Sequence, residues 1–259
     1  MNIYQVIFKE NGKPYLFNGN ELKIPNNVTV IVDTENGLQF AKVISKIESF
    51  ENIDVDNLKN VVRISTKKDY EQYLKNTKDA KEALEKAREI CTSYNTDMNF
   101  VDAEFNFERK QLLFKFVAPE RVDFRDIAKE LAKIYHTRIE LRQIGARDKA
   151  TLVGGLGVCG RELCCSKFLN RIDSVSISMA KDQNLALNPT KINGVCGRLL
   201  CCLSYENQCY LECSKNMPYV GKTVKTIYGD GVVKSIDILN RKYNVLVNDD
   251  IKEIFLDEK

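Results

Sequence analysis

The chain has no tryptophan, one histidine and only five prolines among 259 residues. A single histidine rules out Cys2His2 zinc sites, histidine-rich metal sites and paired-histidine acid–base catalysis. There is no apolar run of the roughly 20 residues that a membrane-spanning helix needs. The first residues, MNIYQVIFKENGKPYLF, lack the basic start and apolar core of a secretory signal. A reducing, cytoplasmic location is therefore expected. In that setting nine cysteines point to metal ligation or thiol chemistry rather than to disulfides. Neither sign of charge dominates: 39 Lys and Arg against 36 Asp and Glu leave a net +3, which neither demands nor excludes a nucleic-acid partner. No segment is of low complexity, and no Gly/Ser linker separates domains.

What the chain does have is a phrase written twice. Residues 157–165 read GVCGRELCC and residues 194–202 read GVCGRLLCC, differing only at Glu162 and Leu199. Each copy sets one cysteine, a Gly-Arg pair, two spacers and two adjacent cysteines. The length allows one large domain or two to three small ones, and the rest of the chain is read around these copies.

The expected fold class is α+β in four parts. Residues 1–60 carry short alternating runs (Ile3–Phe8, Tyr15–Phe17, Val28–Val32, Phe40–Ile47) split by Asn11-Gly12, Asn18-Gly19 and Asn36-Gly37, the pattern of an N-terminal unit of β hairpins. Residues 61–144 follow the order βαββαβ, which predicts a ferredoxin-like unit. Its first helix runs from Lys67 to about Cys91 with an apolar stripe at Tyr70, Tyr73, Leu74, Ala80, Leu84, Ala87 and Cys91. Its second is capped by Asp123, with His136 closing it. Residues 145–216 hold the twin-cysteine region, with a turn at Asn188-Pro189. Residues 217–259 read as a small SH3-like β unit with turns at Gly229-Asp230-Gly231 and Asn240-Arg241.

The candidate metal ligands are Cys159, Cys164, Cys165, Cys196, Cys201 and Cys202. Thiolates select zinc, copper(I) or iron–sulfur clusters. Structural zinc favours C-x2-4-C knuckles, whereas here a gap of four residues precedes a vicinal pair. Neighbouring side chains diverge by about 100° on a helix, which suits the separate corners of a 4Fe–4S cluster better than one small ion. Such a cluster takes four thiolates: two from each copy if the copies meet in space, or three from one copy and one from elsewhere, which implies a partner protein or an open site. Zinc, a dithiol and simple thiol packing remain as alternatives. Gly160 and Gly197 permit left-handed turns, and Arg161 and Arg198 place fixed positive charge near the thiols. Cys91 falls on a helical stripe and reads as core. Cys209 and Cys213, four apart, read as packing on one helix face. Gly155, Gly157 and Gly160 spell G-x-G-x-x-G, but not at a first βα turn, so a dinucleotide site is not expected. No acid–base constellation marks an enzyme. A zinc-bearing nucleic-acid-binding protein is the rival reading.

Three stretches carry a resemblance: TRIELRQIGARDKA (137–150), GGLGVCGRELCCSKFL (154–169) and VSISMAKDQNLALNPTKINGVCGRLLCCLSYE (175–206). Together they closely resemble the bacterial RicT family, also called YaaT, through its polymerase-suppressor (PSP) C-terminal homology domain. The flanks fit the family's size and order without a sharp motif. The resemblance implies a non-catalytic regulatory subunit that joins RicA- and RicF-like helical proteins in a complex carrying 4Fe–4S clusters. That complex acts on ribonuclease Y and mRNA processing, and supports sporulation, competence and biofilm formation. It also implies that all six motif cysteines are involved, and it associates a flavin with the complex.

Overall fold

The computed structural model describes residues 2–9, 12–35, 37–47, 57–94, 96–120, 122–169 and 171–256. Asn11 and Asn36, named above as turn residues, lie outside them. The chain divides into two compact units, Met1–Leu156 with Arg161–Asn170, and Gly157–Gly160 with Arg171–Lys259.

The first unit begins with the expected hairpins: β1 (Ile3–Ile7), β2 (Tyr15–Asn18), β3 (Thr29–Thr34) and β4 (Gly37–Ile47). They pair in the order β2-β1-β4-β3, and β5 (Val61–Ile64) adds to the edge of β3. Val6, Val30, Val32, Ala41 and Val43 pack with Tyr4 and Phe17 in one core, and the intervening Ile3, Ile31 and Phe40 are buried as well, so the middle strands are covered on both faces. The Tyr4 hydroxyl donates to Leu22 O at 2.9 Å and accepts from Ile24 N–H, so this buried phenol is satisfied.

The elements of residues 61–144 appear in the expected order: β5, α1 (Lys67–Ser93), β6 (Asn99–Phe105), β7 (Gln111–Val117), α2 (Arg125–Tyr135) and β8 (Arg138–Gln143). Their pairing differs from the ferredoxin-like arrangement. β5 hydrogen-bonds to β3, antiparallel through Ile64↔Val30 and Arg63↔Ile31. That leaves a three-stranded sheet β6-β7-β8, with β8 parallel to β7. A four-residue strand with one buried side chain can complete either sheet edge, and burial of Val61 beside Val30 and Val32 selects the first.

Helices α1 and α2 cover one face of the three-stranded sheet. Phe100, Phe105, Leu112, Phe114 and Phe116 meet Ala80, Ala83, Ala87, Ile127 and Leu131 there. The buried stripe of α1 runs through Asn76, Ala80, Ala83, Ala87, Ile90 and Cys91, whereas Tyr70 and Leu74 are exposed. Three alanines a turn apart let the helix sit close over the phenylalanines. Asn76 donates to Phe107 O at 3.1 Å, which ties the helix to the β6–β7 turn. Tyr73 stacks on Phe40 at 4.5 Å.

At the start of α1, Thr66 and Asp69 form a capping box, and Asp69 also pairs with Arg63 of β5. The Arg63 hydrogen bond, opposed by burial and helped by the Thr66 N–H and hydroxyl, holds the Asp69 carboxyl well below the ordinary range. Because the folded value is depressed, this contribution is fully present above the unfolded value near 4 and is lost as pH falls from there toward the folded value. Arg63 is half exposed and its pairing is screened by solvent, so only part of this shift counts toward stability. Asp69→Ala should cost about 1–2 kcal/mol at pH 7 and less at pH 3, read by denaturant titration at both. An equal loss at the two pH values would refute the carboxylate's role.

Asp123 lies just before the helical cap Phe124, and its carboxylate accepts from Arg125 N–H at 3.1 Å. His136 closes α2 in the left-handed conformation with φ 49°. The unit continues into α3 (Ala146–Val153), where Asp148 accepts from Gly145 N–H, and α4 (Cys164–Lys167).

In the second unit, α5 (Ile177–Asp182), α6 (Pro189–Ile192) and α7 (Cys201–Cys213) bury Ala180, Ile192 and Leu203 together. The Gln183 amide, buried, donates to Leu203 O at 2.7 Å. The unit ends in an antiparallel meander: β9 (Thr223–Thr226), β10 (Gly229–Asp237), β11 (Lys242–Val247) and β12 (Asp250–Phe255). Among the described residues β9 and β12 are its open edges. Gly229-Asp230-Gly231 is strand rather than turn, since Gly229 pairs with Thr226 and Ile227-Tyr228 make the loop. Gly231 is required by packing: a Cβ there would lie 2.5 Å from Leu246 O.

Candidate metal centre

The twin phrases fold twice in the same way. An isolated β bridge joins Leu156 to Glu162 in the first and Asn193 to Leu199 in the second. Both pairs stand one residue outside the five-residue stretch G-V-C-G-R. The Gly160 N–H donates to Gly157 O at 3.0 Å, and the Gly197 N–H to Gly194 O at 2.9 Å. Leu163 N–H reaches back to Gly155 O, as Leu200 N–H does to Ile192 O. Leu163 and Leu200 share φ −56° with ψ 127° and 126°, and each is the residue before a helix that opens on the vicinal cysteine pair. No side chain caps either helix.

The turn depends on glycine. Gly160 and Gly197 have φ of +74° and +73°, and an added Cβ would meet nothing within 4 Å. Any penalty of substitution is therefore backbone strain alone, about 1–2 kcal/mol for a residue with a Cβ in the left-handed region. Gly197→Ala should destabilise the second unit by about 1 kcal/mol, while Gly197→Asn should recover most of it because asparagine tolerates that region. Equal losses for both variants in urea titrations would contradict the strain argument.

None of the nine cysteines is in a disulfide. Cys159 is exposed, and Cys164, Cys165, Cys196, Cys201 and Cys202 are half-buried. By compact unit, Cys164 and Cys165 belong to the first, and Cys159 and the whole second copy to the second. Among the described residues there is no group of three or more His, Cys, Asp or Glu side chains that could hold a metal ion. The donor set thus suits a soft metal in chemistry and accessibility, but no triplet forms a closed shell by itself. Arg161 and Arg198 are exposed and make no ion pair among the described residues, so each adds uncompensated positive charge beside its thiols.

The other thiols separate cleanly. Cys91 is buried at the end of α1, as expected, its sulfur 3.2 Å from Met98 O. Cys209 is exposed, which removes packing as its reason. A hydrogen bond to Cys213, then that thiol's charge, push the Cys209 thiol above its ordinary value. Seven helical residues put Cys209 about 10 Å along the axis from Cys202, too far to share one small centre with it. The G-x-G-x-x-G glycines follow helix α3 rather than a strand, which agrees with discounting them. Sequence reading passed over Val158 and Val195, the residue before the first cysteine of each copy, which are 67% and 63% exposed. Their repetition in the two phrases was the available signal, since an apolar side chain kept in solvent twice is suited to a partner surface.

Residues 59–144 match the PSP1 C-terminal conserved region, and residues 174–217 match the third domain of PSP1-like proteins. Stage 0 sporulation protein YaaT of Bacillus subtilis is 43% identical to the chain over 95% of the chain and 90% of its own length. The chain belongs to the RicT/YaaT family. The PSP1 C-terminal region is the helix-and-sheet segment upstream of the twin phrases; it overlaps the stretch 137–206 that carries the resemblance only at 137–144. The second phrase lies inside the matched third domain, and the first lies between the two matched regions. Two fungal proteins share parts of this family's sequence. Protein PSP1 of Saccharomyces cerevisiae is 53% identical over 17% of the chain and 5% of its own length. An uncharacterised protein of Schizosaccharomyces pombe is 26% identical over 53% of the chain and 22% of its own length. No solved structure matches the chain. Among the described residues no helix is long and apolar enough to cross a membrane.

Proposed function

We propose that this RicT/YaaT-family chain is a non-catalytic regulatory subunit. In this reading its six motif cysteines hold 4Fe–4S cluster(s) together with thiolates brought by RicA- and RicF-like partner proteins, in the cytoplasm. The complex then modulates ribonuclease Y-dependent mRNA processing and a sporulation programme, with competence and biofilm formation alongside it. The observation that carries this reading is the repeated turn-and-helix geometry that presents one plus two accessible thiols twice. Kinship with a sporulation protein over nearly the whole chain supports the programme.

Within the chain, each glycine turn sets the direction of the first cysteine. The uncapped helix start sets the vicinal pair, and Arg161 and Arg198 bring positive charge that would offset an anionic cluster. A bound cluster would supply a centre sensitive to oxygen and redox poise. The test is anaerobic co-expression with the two partners, followed by iron, sulfide and zinc analysis and a visible spectrum. Iron with equimolar sulfide and a broad absorbance near 400 nm are expected (~400 nm being the usual thiolate–iron band). Stoichiometric zinc without iron would overturn the cluster and favour the zinc-bearing nucleic-acid-binding reading.

A further inference from the structure

The three-stranded sheet β6-β7-β8 has helices on one face only. Leu112, Phe114 and Phe116 point into that covered face, so the alternating residues of β7, Gln111, Leu113 and Lys115, point to the other. Register places Arg142 of β8 beside Lys115 and Asp102 of β6 on its opposite side, and the uncovered face is therefore charged. It does not face open solvent alone. Together with the β1–β2 hairpin it lines a cavity of about 700 Å³ within the first unit.

Among the described residues the charges lining this cleft are unequal. Lys9, Lys13, Lys59, Lys115 and Arg142 stand against Glu35 and Glu104. Lys9 and Lys115 are occupied: both approach Asp102, at 2.9 and 3.1 Å, and both lie near Glu104. Lys59 is 4.0 Å from Glu35. Lys13 and Arg142 have no carboxylate partner among the described residues. Lys13 Nζ instead sits 5.5 Å from the centre of the Tyr15 ring. That ring is held edge-on by Phe8 at 5.5 Å and is 45% exposed. Two cations without a carboxylate partner among the described residues, lining the same cleft as a braced, part-exposed aromatic ring, suit a ligand that is anionic and flat at once.

We infer that this cleft binds a nucleotide unit, its phosphate on Lys13 and Arg142 and its base against Tyr15. A free nucleotide and a nucleotide within single-stranded RNA present the same chemistry, and the volume suits a ligand of that size. The site is independent of the cysteine phrases, so it stands or falls apart from the cluster reading.

The experiment uses the full chain. Radiolabelled ATP is followed by equilibrium dialysis, and fluorescein-labelled octa-uridylate and octa-adenylate by anisotropy. At least one probe should bind. Lys13→Ala with Arg142→Ala, both at exposed or half-exposed positions, should weaken it at least about tenfold and flatten its salt dependence by about two phosphate contacts. Tyr15→Ala should weaken it about tenfold, and Tyr15→Phe should not. Lys225→Ala with Lys234→Ala, on the meander of the second unit, and a chain with serine at all six motif cysteines should bind as the unaltered chain does. ATP binding lost in the cleft variants would assign the cleft to free nucleotides, and oligonucleotide binding alone would assign it to a strand. No binding of any probe, or binding that survives both the charge and the Tyr15 variants, overturns the proposal.

Discussion

Serine at Cys159, Cys164, Cys165, Cys196, Cys201 and Cys202 together is expected to remove iron and sulfide from the anaerobically purified complex and to bleach its visible absorbance. The fold should be kept. None of the six side chains belongs to a buried cluster; all are exposed or half-buried, so exchanging sulfur for oxygen leaves no cavity. Far-ultraviolet circular dichroism and the urea midpoint of the metal-free chain should stay within about 0.5 kcal/mol of the parent. Triple replacement of one copy separates two arrangements. If four thiolates are shared between copies, either triple variant loses all iron; if each copy is completed by a partner, each loses about half. Serine at Cys209 and Cys213 should change nothing, because these thiols lie farther along α7 than one centre reaches. Iron content indifferent to all six replacements would end the proposal.

The largest loss of stability is expected at Phe114. Its ring is fully buried in the middle strand of the three-stranded sheet, between α1 and α2, and meets Phe100 edge-on at 5.6 Å. Phe114→Ala removes this ring from a rigid surround in which alanines of α1 already sit close to the sheet. The neighbours have little room to collapse, so both the transfer loss and the cavity remain. About 3–5 kcal/mol should be lost, with a fall in the first unit's thermal midpoint of roughly 8–16 °C. The PSP1 C-terminal match covers this sheet and both helices, so the loss falls on the segment that the family model matches. Phe114→Leu should cost distinctly less, since it keeps most of the volume. A drop below about 1 kcal/mol for Phe114→Ala would mean that the sheet and helices are far less tightly packed than described here.

Parts of this molecule were legible residue by residue. The hairpin strands of the first unit were marked by short alternating runs, the helical spacing that starts at Lys67 became α1, and His136 ends α2 where the periodic pattern stops. Local conformation answers to nearest neighbours, and those neighbours were on the page. The errors have a common cause. Alternation reveals which side chains share a face but not which sheet edge a strand joins, so β5 was misassigned. Helical spacing admits several adjacent stripes, and Tyr70 and Leu74 looked inward until the alanine stripe was seen beneath the phenylalanines. Gly229-Asp230-Gly231 looked like a turn because glycine permits one, although Gly231 is there to admit Leu246 O.

The candidate site divides in the same manner. Two copies of one phrase, read without coordinates, already named six sulfurs, two glycine turns and two arginines. Identical short sequences settle into identical backbone turns, since φ and ψ answer to local sterics, and the bridges at Leu156–Glu162 and Asn193–Leu199 bear that out. Only the tertiary structure decided that a sheet face and a hairpin together line one cleft, whose described side chains include Lys13, Tyr15 and Arg142. Distances between segments far apart in the chain depend on how whole layers of side chains fit, a property that no local stretch of sequence carries.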